Sequence, residues 1–230
     1  MRSIIVLALA ATGLASACAA DLTGTEIRWL QAAWPLVVYA KTQQLPLDIV
    51  VQPQAHLGDA PIAMGFADAR CKLVLAMRGN PEAEATLERI PAGLLQPVIE
   101  AMVAHELGHC WRYVHGAWHT LPSGFVDTTA ERPEEDQKLL AQWRDMRQTR
   151  REEGYADLVG LAWTSAHHPS QYAQVRDWFT HVRDDQPVPG AHHDTRVWLR
   201  LATDPQAFVP AGTPFEQATP VWQRGLLGED

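Results

Sequence analysis

"PVIEAMVAHELGHCWRYVHG", residues 97–116, is a largely apolar run broken by two histidines, a glutamate and a cysteine at 105–110. Pro97 suits the first turn of a helix and Gly116 suits its end, so the spacing predicts one helix between them. An α-helix turns about 100° per residue, which puts His105 and His109, four apart, on one face. Two imidazoles so placed can hold one cation together. Glu106 is rotated by one step from His105, beside such a cation without having to ligate it. A carboxylate there can take a proton from a metal-bound water. The apolar "VIEAMVA" before the motif anchors the helix, and Gly108 allows a neighbour to approach closely.

This H-E-x-x-H spacing is the zincin motif. A catalytic zinc site usually has three protein ligands, and two candidates compete for the third place. His115 lies six residues after His109, as in the metzincin pattern, but Arg112 occupies the place of the turn-making glycine. Without that glycine the helix continues, and His115 falls about 240° round from His109, away from a shared metal. Met146 stands in a helical context, "WRDMRQT", and not in a turn. The other candidate is "EEGYADLVGL", residues 152–161. Glu153 and Asp157 are again four apart on one helical face. Glu153 can supply an oxygen ligand while Asp157 accepts the outer N–H of a ligating histidine and fixes its tautomer. Glu152 is a neighbouring alternative, but only Glu153 pairs with Asp157 at this spacing.

These two motifs resemble those of gluzincin metallopeptidases, whose downstream helix carries E-x-x-x-D, often as E-x-x-A-D. Here the residues are Glu153, Gly154, Tyr155, Ala156 and Asp157, beginning 44 residues after His109. The chain is most similar to small CAAX-endopeptidase-like members, strongly in the two motifs and loosely in the order of elements between Ile27 and Trp163. The resemblance implies one Zn²⁺ per chain, held by His105, His109 and Glu153, with Glu106 as general base on a peptide or protein substrate. Such families often place a further histidine and arginine after the third-ligand helix. "HHDTR", residues 192–196, supplies His193 and Arg196 as oxyanion or substrate contacts, though the usual His-Pro step is absent. Tyr155 is a further candidate donor, with core packing as its competing role. His56, His119, His167, His168 and His181 read as surface or hydrogen-bonded histidines.

Outward from the motif helix, "GTEIRWLQAAWPLVVYAKTQ", residues 24–43, has helical spacing, with Ile27, Leu30, Trp34 and Val38 sharing a face and Pro35 as a kink or break. "LPLDIVVQP" reads as a strand, and "IAMGFAD" and "CKLVLAM", separated only by "AR", as two more. Asn80 followed by Pro81 marks a helix start. The stretch 117–132 is a loop, either a lid or a connection. Helices resume from Pro133, one through "EEDQKLLAQWRDM" and another through "EEGYADLVGLAWTSA", followed by two more through "PSQYAQVRDWFTHVRDD" and "HDTRVWLRLATD". The tail after Pro205 is rich in Pro, Gly and Thr. The expected fold class is α+β and, by the resemblance, zincin-like. A small N-terminal sheet would pack on the active-site helix, with a mainly helical part after it.

The chain has 230 residues, 47% hydrophobic and 20% charged, which suits one domain with a substantial core at 21–230. A formal charge of -8 argues against a nucleic-acid partner. The basic run "RDMRQTRR" reads as a solvated helix face. Residues 1–20, "MRSIIVLALAATGLASACAA", have the layout of a secretory signal, with a cleavage site after Ala19 or Ala20. An uncleaved anchor is the alternative. Lipidation at Cys18 is disfavoured by Ala15, where such signals usually have Leu. Cleavage would leave no stable membrane span and a periplasmic or secreted protein. It would also leave Cys71 and Cys110 as a pair that an oxidising compartment lets form a disulfide, which stabilises by about 3–4 kcal/mol in the chain-entropy model. Two separate buried thiols are the alternative. The expected function is thus an exported zinc peptidase, with endopeptidase action favoured over exopeptidase action. Its rivals are an exported metal-binding chaperone or assembly factor without turnover, and a zinc hydrolase acting on another bond. Retention of Glu106 speaks for turnover, because metal binding alone does not require it.

Overall fold

The computed structural model describes residues 21–56, 58–125, 137–184, 190–209 and 212–228. The signal-like segment, the part of the expected loop at 126–132 and the start of the helix expected from Pro133 lie outside them. The class is α+β. Strands β1 (Leu47–Val51), β2 (Ile62–Ala67) and β3 (Arg70–Leu75) form a mixed sheet in the order β1-β3-β2. β1 is parallel to β3, with Leu47 opposite Cys71, and β2 is antiparallel to it. The β2–β3 turn is Asp68–Ala69, one residue earlier than the "AR" separator. Both residues have positive φ, 53° and 57°, as a two-residue hairpin turn demands. Cys71, Leu73 and Leu75 alternate inward along the central strand, and on β1 Asp48 bridges Arg70 and Lys72.

Helix α1 (Gly24–Thr42) starts in a capping box, with Thr23 and Glu26 bonding each other's backbone N–H. It runs through Pro35 unbroken. That proline lies on the exposed side, where water can take up the Gln31 carbonyl that a proline cannot reach. The expected face of α1 is the wrong one. Ile27, Trp34 and Val38 are exposed, and the buried face is Trp29, Ala32, Ala33, Leu36 and Ala40. Helix α2 (Pro81–Arg89) is capped by Asn80 as expected.

Helix α3 (Leu95–Val114) carries the motif through the centre of the molecule, packed against α1, β2 and β3. His115 caps it and Gly116, at φ 65°, ends it. The two helices expected between 133 and 166 are one, α4 (Gln137–His167). No proline or glycine occurs at 147–151, between the two expected helices, and Gly154 within the helix serves packing. A Cβ there would lie 2.3 Å from the Trp198 ring. Helices α5 (Tyr172–Asp184) and α6 (Arg196–Leu201) follow, and the tail holds α7 (Pro214–Gly225), again begun by a capping box, Thr213 with Glu216. Among the described residues no helix is long and apolar enough to cross a membrane. Cys71 and Cys110 form a disulfide that joins β3 to α3, with Cα atoms 5.6 Å apart.

Candidate metal centre

The centre lies where α3 crosses α4. Close approach is set by Gly108, whose missing Cβ would stand 3.2 Å from both Ala156 Cα and Val159 Cγ2. Glu153 and Asp157 flank Ala156 on the facing helix, so the two pairs spaced four apart meet directly. His105 Nε2 and His109 Nε2 are 3.1 Å apart, His109 Nε2 is 3.3 Å from Glu153 Oε1, and His105 Nε2 is 3.5 Å from Glu153 Oε2. Ligand atoms held tetrahedrally at about 2.0–2.1 Å from one ion are about 3.3 Å apart, so the two imidazoles and the Glu153 carboxylate, whose two oxygens each face one ring, are close enough to share one metal. His105, His109 and Glu153 thus form a group able to hold a metal ion. Two imidazole lone pairs at 3.1 Å repel unless a proton or a cation lies between them.

The outer atoms are held unequally. His105 Nδ1–H donates to Asp157 Oδ1 at 2.8 Å, which leaves Nε2 as the nitrogen able to ligate. Asp157 is fully buried. It also accepts from Thr195 Oγ1 at 2.5 Å and from Arg183 Nε and Nη2 at 3.0 and 2.8 Å. His109 Nδ1, by contrast, is buried and has no hydrogen-bond partner among the described residues. Glu153 accepts from Arg183 Nη2 at 3.3 Å and from His193 Nδ1 at 3.0 Å. Glu106 stands one step round the helix, 9% exposed, with no hydrogen bond among the described residues.

Charge follows from this geometry. Burial alone would raise Asp157, but Arg183 and His105 outweigh it and hold the carboxyl well below the usual range. Burial opposes Glu153 in the same way, and hydrogen bonds from His105, His109 and His193 keep it ionised. Burial would lower His105, yet the two carboxylates beside it push it up to about 10. Burial raises Glu106, against the pull of the neighbouring imidazoles. Glu153 and Asp157 are thus balanced by the Arg183 guanidinium and a protonated His105, and a metal cation can take the place of that proton.

The five residues read from the two motifs, His105, Glu106, His109, Glu153 and Asp157, come together here. His193 reaches the rim, half exposed. Arg196 does not arrive, because Asp194 holds it at 2.7 and 2.8 Å. Tyr155 does not arrive either. It points to the opposite side of α4, fully buried, and its hydroxyl donates to the Phe215 carbonyl at 2.9 Å. His115 stacks on Trp111, away from the centre. Glu152 is occupied by Arg112 at 2.5 and 3.0 Å, which leaves Glu153 as the available carboxylate. Of the remaining histidines, His56 pairs with Asp59, His167 donates to the Trp163 carbonyl and His168 to Glu100.

Sequence reasoning missed Arg183 and Thr195. The signal for Arg183 lies in the register of α5. Tyr172, Val175 and Phe179 form its buried stripe, and Arg183 follows four residues later on the same face. A guanidinium in register with an apolar stripe needs a buried anion, and Asp157 is that anion. Comparison with protein-family models, curated proteins and solved structures gives no match.

Proposed function

We propose that this chain is an exported zinc-dependent peptidase of gluzincin type, built on a zincin-like architecture. The observation that carries the reading is the convergence of His105, His109 and Glu153 to metal-ligand spacing, with the unpaired Glu106 carboxylate beside them. A zinc ion held there would supply Lewis acidity, activating a water and polarising the scissile carbonyl. Glu106 takes the proton from the attacking water and returns it to the leaving amide nitrogen. Burial raises this carboxyl, which makes it a better base. Asp157 keeps the His105 ring in its ligating tautomer, and Arg183 holds Asp157 and Glu153 in place. His193, half exposed at the rim, is the residue placed to meet the carbonyl oxygen or the substrate chain. The disulfide and the signal-like leader are consistent with export.

The test compares wild type with Glu106→Gln on unfolded protein substrates. The amide keeps the shape of the side chain but cannot move the proton. Zinc content should be unchanged while cleavage falls by about a hundred- to ten-thousand-fold, the usual worth of a general base. Equal cleavage by both proteins would sink the assignment.

A further inference from the structure

One structured feature beside the metal centre is unused by the proton chemistry. Residues 117–120, just after α3, are pinned from within. Arg112 Nη2 donates to the carbonyls of Ala117 and Thr120 at 2.6 and 2.9 Å, and Glu152, its buried partner, accepts from the His119 backbone N–H at 2.8 Å. The Arg112 guanidinium is itself sandwiched by the Tyr155 and Trp222 rings, 5.0 and 4.4 Å from their centroids. His119 adopts φ 57°, a left-handed turn conformation uncommon outside glycine that histidine is among the residues able to take. The product of this anchoring is the position of Trp118. Its ring makes a T-shaped contact with His109, centroid to centroid 5.6 Å. Phe66 of β2 meets the same indole edge-on at 5.3 Å and stacks on Tyr113 at 4.1 Å. The core tryptophans Trp29 and Trp198 are covered to about 1% exposure or less, whereas these three rings keep a solvent face, Tyr113 at 36%.

We infer that Trp118, Phe66 and Tyr113 form a rigid subsite that takes a bulky apolar side chain, aromatic or branched aliphatic, next to the bond being cut. This rests on the peptidase reading above. The distances allow it. The His109 ring, which would hold the metal, is 5.6 Å from the Trp118 ring, so a substrate side chain beside the bond at the metal would reach the indole. Three uncharged rings gain by shedding water onto an apolar partner and lose by desolvating a charged one. The buried Arg112–Glu152 anchor fixes the wall before substrate arrives, so selectivity need not be offset by ordering a loop. Residues 117–120 are therefore a wall of the site and not a hinged cover.

Two measurements test the inference together. Wild type, Trp118→Ala and Trp118→Phe are assayed on peptides differing only in Phe, Leu, Ala or Asp on either side of one bond. The same peptides, fluorescently labelled, are titrated by anisotropy against the zinc-loaded proteins carrying Glu106→Gln. Wild type should prefer Phe or Leu over Ala and Asp on one side of the bond. Trp118→Ala should shrink that ratio of kcat/KM by about tenfold or more, the scale on which apolar pockets discriminate, and Trp118→Phe should restore much of it. Binding should show the same loss and the same restoration. If no peptide is cut but apolar peptides bind through Trp118, the peptidase reading fails and the subsite stands. If binding or cleavage shows no apolar preference, or the preference survives Trp118→Ala in a folded protein, the subsite is wrong.

Discussion

At the scale of single residues, the two histidines of the motif are held differently. His105 is fixed from behind by Asp157, while His109 has no such partner for its Nδ1. Asp157→Asn should therefore loosen His105 directly, and Glu153 through the Arg183 that both carboxylates share, while leaving His109 without a lost contact. It should weaken zinc binding by about 10–100-fold, read by competition with a chromophoric chelator. Removing the Glu153 carboxylate should be more severe. Glu153→Ala should lose stoichiometric zinc after dialysis, and one zinc per chain retained in that variant would return the third place to another group. Protons compete for the same position. In the metal-free protein His105 is raised to about 10, so it holds a proton at neutral pH that zinc must displace. Zinc affinity should then rise with pH, by up to about tenfold per unit between about pH 6 and 8. A flat profile would mean that His105 is already neutral without metal.

At the scale of elements, the sequence was most legible where chemistry repeats at helical spacing and least legible where two elements choose each other. The pairs His105–His109 and Glu153–Asp157 show their faces by spacing alone, and Gly108 shows where those faces meet. Arg183 and Thr195 come from elsewhere in the chain to one buried carboxylate, and no local pattern links them to it. Helix α1 is illegible for another reason. Both of its faces are apolar, so periodicity cannot choose between Ile27, Trp34 and Val38 on one side and Trp29, Ala33 and Leu36 on the other. Packing chose the side with Ala32, Ala33 and Ala40, whose small side chains suit close contact with α3. The expected break in α4 falls at 147–151, a polar, basic stretch that continues the helix, while Gly154 and Gly160 further along it are sites of approach. At Gly160 a Cβ would stand 2.7 Å from the Ala101 carbonyl oxygen of α3, and backbone cannot give way as a flexible side chain would. Gly160→Ala, which in an exposed helix would stabilise by about 1 kcal/mol, should here destabilise by about 1–3 kcal/mol in urea unfolding. A gain in stability would show that the α3–α4 contact is looser than this.

At the scale of the whole molecule, the motif helix is held on its two sides by different means. Against α4 it is fastened by close packing and by the buried His105–Asp157 hydrogen bond. Against the sheet it is joined covalently, Cys110 following directly after His109 and reaching Cys71 on the central strand, 39 residues away. Closing a loop of that length restricts the unfolded chain by about 4 kcal/mol in the entropic model. Domains of this kind are stable by only about 5–15 kcal/mol in total, so the bond is a large share of what keeps the site assembled. The dependence is on compartment, because a reducing one would remove it. Replacing both cysteines, Cys71→Ala with Cys110→Ala, should lower the Tm by about 6–16 °C for a chain of this size. The measurement belongs on the zinc-free protein, since bound metal stabilises the folded state by mass action and would mask part of the loss. Wild type kept in reductant should melt close to the double variant. Equal melting of oxidised wild type and the double variant would mean that packing of β3 on α3 suffices, and the site would then stand without the covalent link.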